Sequence, residues 1–229
     1  MTLSLNVSLR RTIGFFVASS IFATSAHAGP PLICHSIAIG QARSLPWTSS
    51  NWNLSGTETY DLKNLVGDTL AILDSSTPVL VRMETLRRAA LYSRDDSKLA
   101  EELLGQLHAR VSSAETAGQS QALALFDAGY FAEAYKQLHL KDANSPANGV
   151  DGYAWVKKAL ESRPDPQMEF AAALINMHEN NNEHREHVRR ATAGAENDAL
   201  LAQNLASRFN SSSSPTIAEM FAKSTAQNR

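Results

Sequence analysis

From Tyr60 to Phe209 the apolar side chains return every three or four residues, and runs that alternate apolar with polar are almost absent. A period of three to four lays one stripe along a helix, whereas a half-buried strand needs a period of two. The chain is therefore read as all-α. In "YDLKNLVGDTLAILDSS", Leu62, Leu65, Val66, Thr69, Leu70 and Leu73 share one broad stripe behind a capping Asp61. "TPVLVRMETLRRAALYS" opens on Thr77 as cap and Pro78 in the first turn, with Val79, Met83, Leu86 and Ala90 at helical spacing. Arg82, Arg87 and Arg88 fall mostly on its other faces, and Glu84 stands one turn from Arg88.

A third stripe holds Leu99, Leu103, Leu104, Leu107 and Val111. Two helices are expected in "SQALALFDAG" and "YFAEAYKQL", then a pair in "GYAWVKKALES" and "DPQMEFAAALINM", the second opened by Asp165 and Pro166. "NEHREHVRRATA" and "NDALLAQNLASRF" continue the series, and "PTIAEMFAK" follows the serines at 211–214. Short antiparallel helical hairpins of this kind suit an irregular α-solenoid, with a compact helical bundle as the alternative.

Residues 1–28 read as an export signal. Arg10 and Arg11 precede the apolar "IGFFVASSIFA", and "AHA" ends at Ala28 as a small-residue cleavage site. That apolar run is well short of the roughly 20 residues a membrane-spanning helix needs. The paired arginines leave both the general and the twin-arginine export routes open. A periplasmic or secreted protein is expected, with Ile33 standing where a lipid-carrying cysteine would need a small residue. Net charge is only −2, and the leader removes two of the positive charges. No basic stripe offers a footprint for nucleic acid. A single cysteine excludes an internal disulfide, so packing alone must stabilise the fold.

The organisation expected is a signal over 1–28, an irregular arm over 29–60, a helical hairpin domain over 61–210, and a serine-rich linker with a short helix over 211–229. Pro30, Pro31 and Pro46 mark the arm, which has room for one short helix near "SIAIGQARSL". Within the helical domain, "LALFDAGYFAEAYKQLHLKDANSP" places Ala122, Leu125, Gly129, Ala134, Leu138 and Pro146 at the offsets of a helical hairpin. Over about residues 118–146 the segment resembles one tetratricopeptide-repeat unit. The resemblance implies a tight turn at Gly129 between two closely packed helices, and a protein-binding role.

Three constellations are candidates for chemistry. Cys34 and His35 sit together in "GPPLICHSIAIG", where a thiolate and an imidazole are donors that zinc or copper accepts. Pro31 stands where a covalent haem motif needs its first cysteine, and the other reading of Cys34 is a small buried hydrophobe beside Leu32, Ile33 and Ile37. Glu183, His184 and His187 lie three and four apart on one helix, the spacing of a divalent metal site, or of a merely hydrated face. Trp47 and Trp52 offer rings for an interaction surface, or for pinning the arm. No phosphate-binding loop, nucleophile elbow or close carboxylate pair is present, so no catalytic residue is assigned and no cofactor is expected. The expected function is a non-enzymatic exported module that binds a protein or peptide partner. The alternative is a periplasmic metal- or redox-linked protein using Cys34.

Overall fold

The computed structural model describes residues 30–48, 54, 58–117, 121–139, 144–179 and 181–209. Among them are eight α-helices and no strand: α1 (Leu65–Ile72), α2 (Val79–Tyr92), α3 (Ser97–Thr116), α4 (Ala122–Leu138), α5 (Gly152–Ser162), α6 (Pro166–Ile175), α7 (Asn182–Gly194) and α8 (Ala199–Phe209). The expected leader over 1–28, Trp52 and the expected C-terminal linker and helix lie outside the described residues.

Aspartate caps recur because a short carboxylate reaches the free amides of a first helical turn. Asp96 accepts from Leu99 N, Asp151 from Ala154 N, and Asp165 from Gln167 N and Met168 N with Pro166 opening α6. No helix among the described residues is long and apolar enough to cross a membrane.

The interior is built around α2, α4 and α6. Helix α2 packs against α1, α4 and α6, while α4 also meets α3 and α5, and α6 also meets α5, α7 and α8. Every residue of α2 except Arg88 is buried, so its charged side chains are enclosed with the apolar stripe. Arg82 spends its guanidinium on Asp127 of α4 at 2.6 Å, on the Thr77 carbonyl at 3.0 Å and on the Asp74 carbonyl. Arg110 of α3 donates to the Leu70 and Leu73 carbonyls, both at 2.9 Å. Arg110 thus satisfies carbonyls that the end of α1 leaves without helical partners, and Arg82 those of the loop that leads into α2.

The arm is irregular, as expected, but the short helix near "SIAIGQARSL" does not form. Its backbone groups are committed elsewhere. Ile37 N donates to Glu84 Oε2 at 2.8 Å, and Asn204 of α8 pairs with both N and O of Ala38, at 2.8 and 2.9 Å. Gly40 follows at φ +61°, a left-handed conformation that favours glycine and redirects the chain. Leu32, Ile33, Ile37 and Leu45 drop into the common core.

Gly129 requires a correction. It was expected to turn the chain between two helices, yet α4 runs unbroken through it from Ala122 to Leu138. The missing side chain serves a crossing instead, because a methyl on Gly129 would lie 2.5 Å from the Gly152 carbonyl oxygen and 3.1 Å from Trp155 Cβ. Gly152 meets α4 reciprocally, and Glu133 Oε1 accepts from Tyr153 N at 3.2 Å to complete the junction. Two glycines therefore set the α4–α5 approach.

This geometry fixes the sign of two glycine substitutions. At Gly129 the gain in helix propensity, about 1 kcal/mol, opposes a collision with rigid backbone, and overpacking of that kind costs about 1–3 kcal/mol. Gly129→Ala is therefore expected to lower stability in urea unfolding. Gly105→Ala, on an open face of α3 with nothing within 4 Å, is expected to raise it by up to about 1 kcal/mol.

Candidate functional site

The C-terminal half of the domain frames a cleft between α5, α6 and α7 with a volume of about 530 Å³. Caps place its side chains. Asp165 starts α6 so that Glu169 falls one turn in, and Asn181 starts α7 by accepting from His184 N at 2.9 Å. His187 then lies one turn further along α7, opposite Glu169.

At the inner wall, buried His187 directs Nδ1 to Glu169 Oε2, while its Nε2 meets the Tyr153 hydroxyl of α5 at 2.9 Å. Nδ1 donates to the carboxylate, and Nε2 shares a hydrogen bond with the tyrosine hydroxyl. Arg190 reaches Glu169 Oε1 at 3.3 Å, and Asn176 Nδ2 donates to the Tyr153 oxygen at 3.3 Å. The result is a hydrogen-bonded chain linking Tyr153, His187 and Glu169. Burial, and next the Glu183 charge, push the Tyr153 phenol above its ordinary range, and a hydrogen bond to Glu183 adds to the shift, so it stays protonated.

The rim is charged. Glu183 pairs with Lys157 at 3.0 Å, which holds its carboxyl below the usual range. Glu186 receives Arg189 and Arg190, at 2.7 and 2.8 Å, and these bonds pull its pKa down to about 2. Glu161 adds a fourth carboxylate, with Leu160 and Pro164 as the apolar part of the wall.

Of the three residues of α7 that share the spacing, the structure keeps Glu183 and His187 on one cleft, where both reach Tyr153, and turns His184 away. His184 turns inward, where Nδ1 donates to the Ala173 carbonyl at 3.0 Å and the ring meets Phe209 edge-on. His187 faces Glu169, and Glu183 faces Lys157. Among the described residues no group of three or more histidine, cysteine or acidic side chains is arranged to hold a metal ion. The Tyr153–His187–Glu169 chain is what sequence reasoning missed, because its members come from three helices and no spacing relates them.

Cys34 and His35 sit on a turn in which Cys34 N donates to Pro30 O at 3.0 Å. Cys34 is half-buried and His35 exposed, while Leu32, Ile33 and Ile37 beside them are buried. Arg87 Nε holds the Ile33 carbonyl at 2.8 Å, and Arg208 holds the His35 carbonyl at 2.7 Å. Burial raises the thiol pKa against the opposing pull of Arg87 and Arg208. Trp47 is half-buried and packs its ring edge-on to Tyr92, with Arg87 Cζ 5.6 Å from its centroid. That contact pins the arm to α2.

No protein-family model matches this chain, and no curated protein or solved structure matches it.

The buried His184 makes stability depend on pH in a stated direction. Burial holds its pKa below the ordinary 6.5, so the folded protein resists a proton that the unfolded chain accepts. The contribution is complete above about pH 6.5 and is lost as pH falls below it. The melting temperature should therefore drop between pH 7.5 and 5.5, and His184→Gln, which keeps a donor for the Ala173 carbonyl, should flatten that drop.

Proposed function

We propose that the protein is an exported, non-enzymatic interaction module, and that the α5–α6–α7 cleft receives a protein or peptide segment offering a lysine or arginine side chain. The observation that carries this reading is the acidity of the cleft: Glu161, Glu169, Glu183 and Glu186 outnumber Lys157, Arg189 and Arg190, the cations that pair at its wall and rim. Unbalanced carboxylates in a concave site concentrate cations and favour their approach. Leu160 and Pro164 provide apolar surface for the methylene stem of such a side chain. The Tyr153–His187–Glu169 chain ties α5, α6 and α7 together along the inner wall and so holds the cleft in shape before binding.

The alternative, a metal- or redox-linked protein using Cys34, has less support. Two guanidiniums flank the turn that carries the thiol, and their charge opposes a metal cation.

Fluorescence polarisation with the mature chain tests the reading. A labelled peptide rich in lysine and arginine is expected to bind saturably and with salt dependence, and a glutamate-rich control is not. The pair Glu161→Lys and Glu183→Lys should weaken binding about tenfold, equivalent to about 1.4 kcal/mol. Equal binding of both peptides, or no saturable binding of the cationic one, would remove the proposal.

A further inference from the structure

A lysine of this chain already sits in the α5–α6–α7 cleft. Lys157 of α5 lines it, and its ammonium lies 3.0 Å from Glu183 Oε1 of α7 and 4.7 Å from the centroid of the Tyr153 ring. A carboxylate and an aromatic face are the two groups that hold an ammonium best, so a lysine from outside would use the same pair. Both are fixed from behind. The Tyr153 hydroxyl meets His187 Nε2 at 2.9 Å and accepts from Asn176 Nδ2 at 3.3 Å, and the ring stands edge-on to His187. Glu183 belongs to the first turn of α7, behind the Asn181 cap.

The occupant is held less firmly than its seat. Glu183 is the one hydrogen-bond partner of the Lys157 ammonium among the described residues. The side chains of Lys157 and Glu183 are 40% and 46% exposed, so water screens the pair, and exposed pairs of this kind contribute little. A flexible four-carbon stem lets the ammonium swing into solvent while α5 stays in place. The other rim cations are tied more closely: Arg189 gives Glu186 two hydrogen bonds, and Arg190 bonds both Glu186 and Glu169.

We propose that Lys157 is an internal stand-in for the partner's cation, filling the seat formed by Glu183 and the Tyr153 ring until an incoming lysine displaces it. The inference rests on the reading of the cleft as a receptor for a cationic side chain, and adds where that side chain goes and what it displaces. Each binding event breaks the Lys157 contacts first, so the native lysine holds affinity down and keeps the ring and the carboxylate covered in the free protein.

Fluorescence polarisation of a labelled lysine-rich peptide against the wild type and three variants tests this. Lys157→Ala empties the seat and is expected to tighten binding about tenfold, the combined strength of one exposed ion pair and one cation–π contact. Lys157→Arg refills the seat and should bind like the wild type. Lys158→Ala removes the same charge from the neighbouring exposed position and should tighten binding by no more than about twofold, the gain from screened charge alone. Isotope-labelled lysine gives the second readout: the ε-methylene signal of Lys157, shifted by the Tyr153 ring in the free protein, should move to the position of a solvated lysine as peptide saturates the wild type. Peptide binding with no greater gain at Lys157→Ala than at Lys158→Ala, or with an unmoved Lys157 signal, overturns this inference and leaves the reading of the cleft standing. No saturable binding by any of the four proteins overturns both.

Discussion

The carboxylate of Glu84 joins the two unlike parts of this protein. Oε1 accepts from Arg87 and Arg88 within α2, and Oε2 accepts from the Ile37 amide of the arm. Glu84 and Arg87 are both fully buried, and buried charge is tolerated only when paired and hydrogen-bonded. Removing one partner of such a group costs about 3–5 kcal/mol, since the other is left enclosed and uncompensated. The arm therefore completes the environment of α2, and α2 supplies the hydrogen bonds that an irregular arm cannot make for itself.

The same exchange recurs along the arm. Gln137 of α4 accepts from Leu32 N at 2.8 Å, Arg88 donates to the Leu45 carbonyl, and Tyr92 donates to the Pro46 carbonyl. The arm forms no helix or strand over residues 30–48, and Pro30, Pro31 and Pro46 lack amide donors of their own, so its buried polar groups need side-chain partners. Helices α2, α4 and α8 provide them. With its leading half stapled in this way, the domain presents α5, α6 and α7 as the face on which the charged cleft forms.

The helices were legible because burial on one face imposes a period that survives in the amino-acid order. Leu103, Leu104 and Leu107 are buried as the stripe in α3 requires, and Asp165 with Pro166 opens α6 where the cap chemistry places it. The fate of Arg82 and Arg87 was not legible. Helical spacing puts them off the apolar stripe, and only the tertiary arrangement brings the arm and α4 over those faces. Gly129 misled for a related reason, since a glycine that permits close crossing and one that permits a turn look alike in sequence. In α7 the spacing puts three polar residues on one helix, but their partners Ala173, Glu169 and Lys157 lie on neighbouring elements and turn His184 away from the other two. The cleft was therefore visible only as ingredients.

The structure requires the arm to be as firmly held as the helix it covers. Residue-resolved amide hydrogen exchange on the protein measures this directly. The Leu32, Ile37 and Ala38 amides, each bonded to a side chain of α4, α2 or α8, are predicted to exchange as slowly as the core amides of α2. Rapid exchange at these three positions while α2 stays protected would contradict the account, because α2 would then keep its structure without the arm.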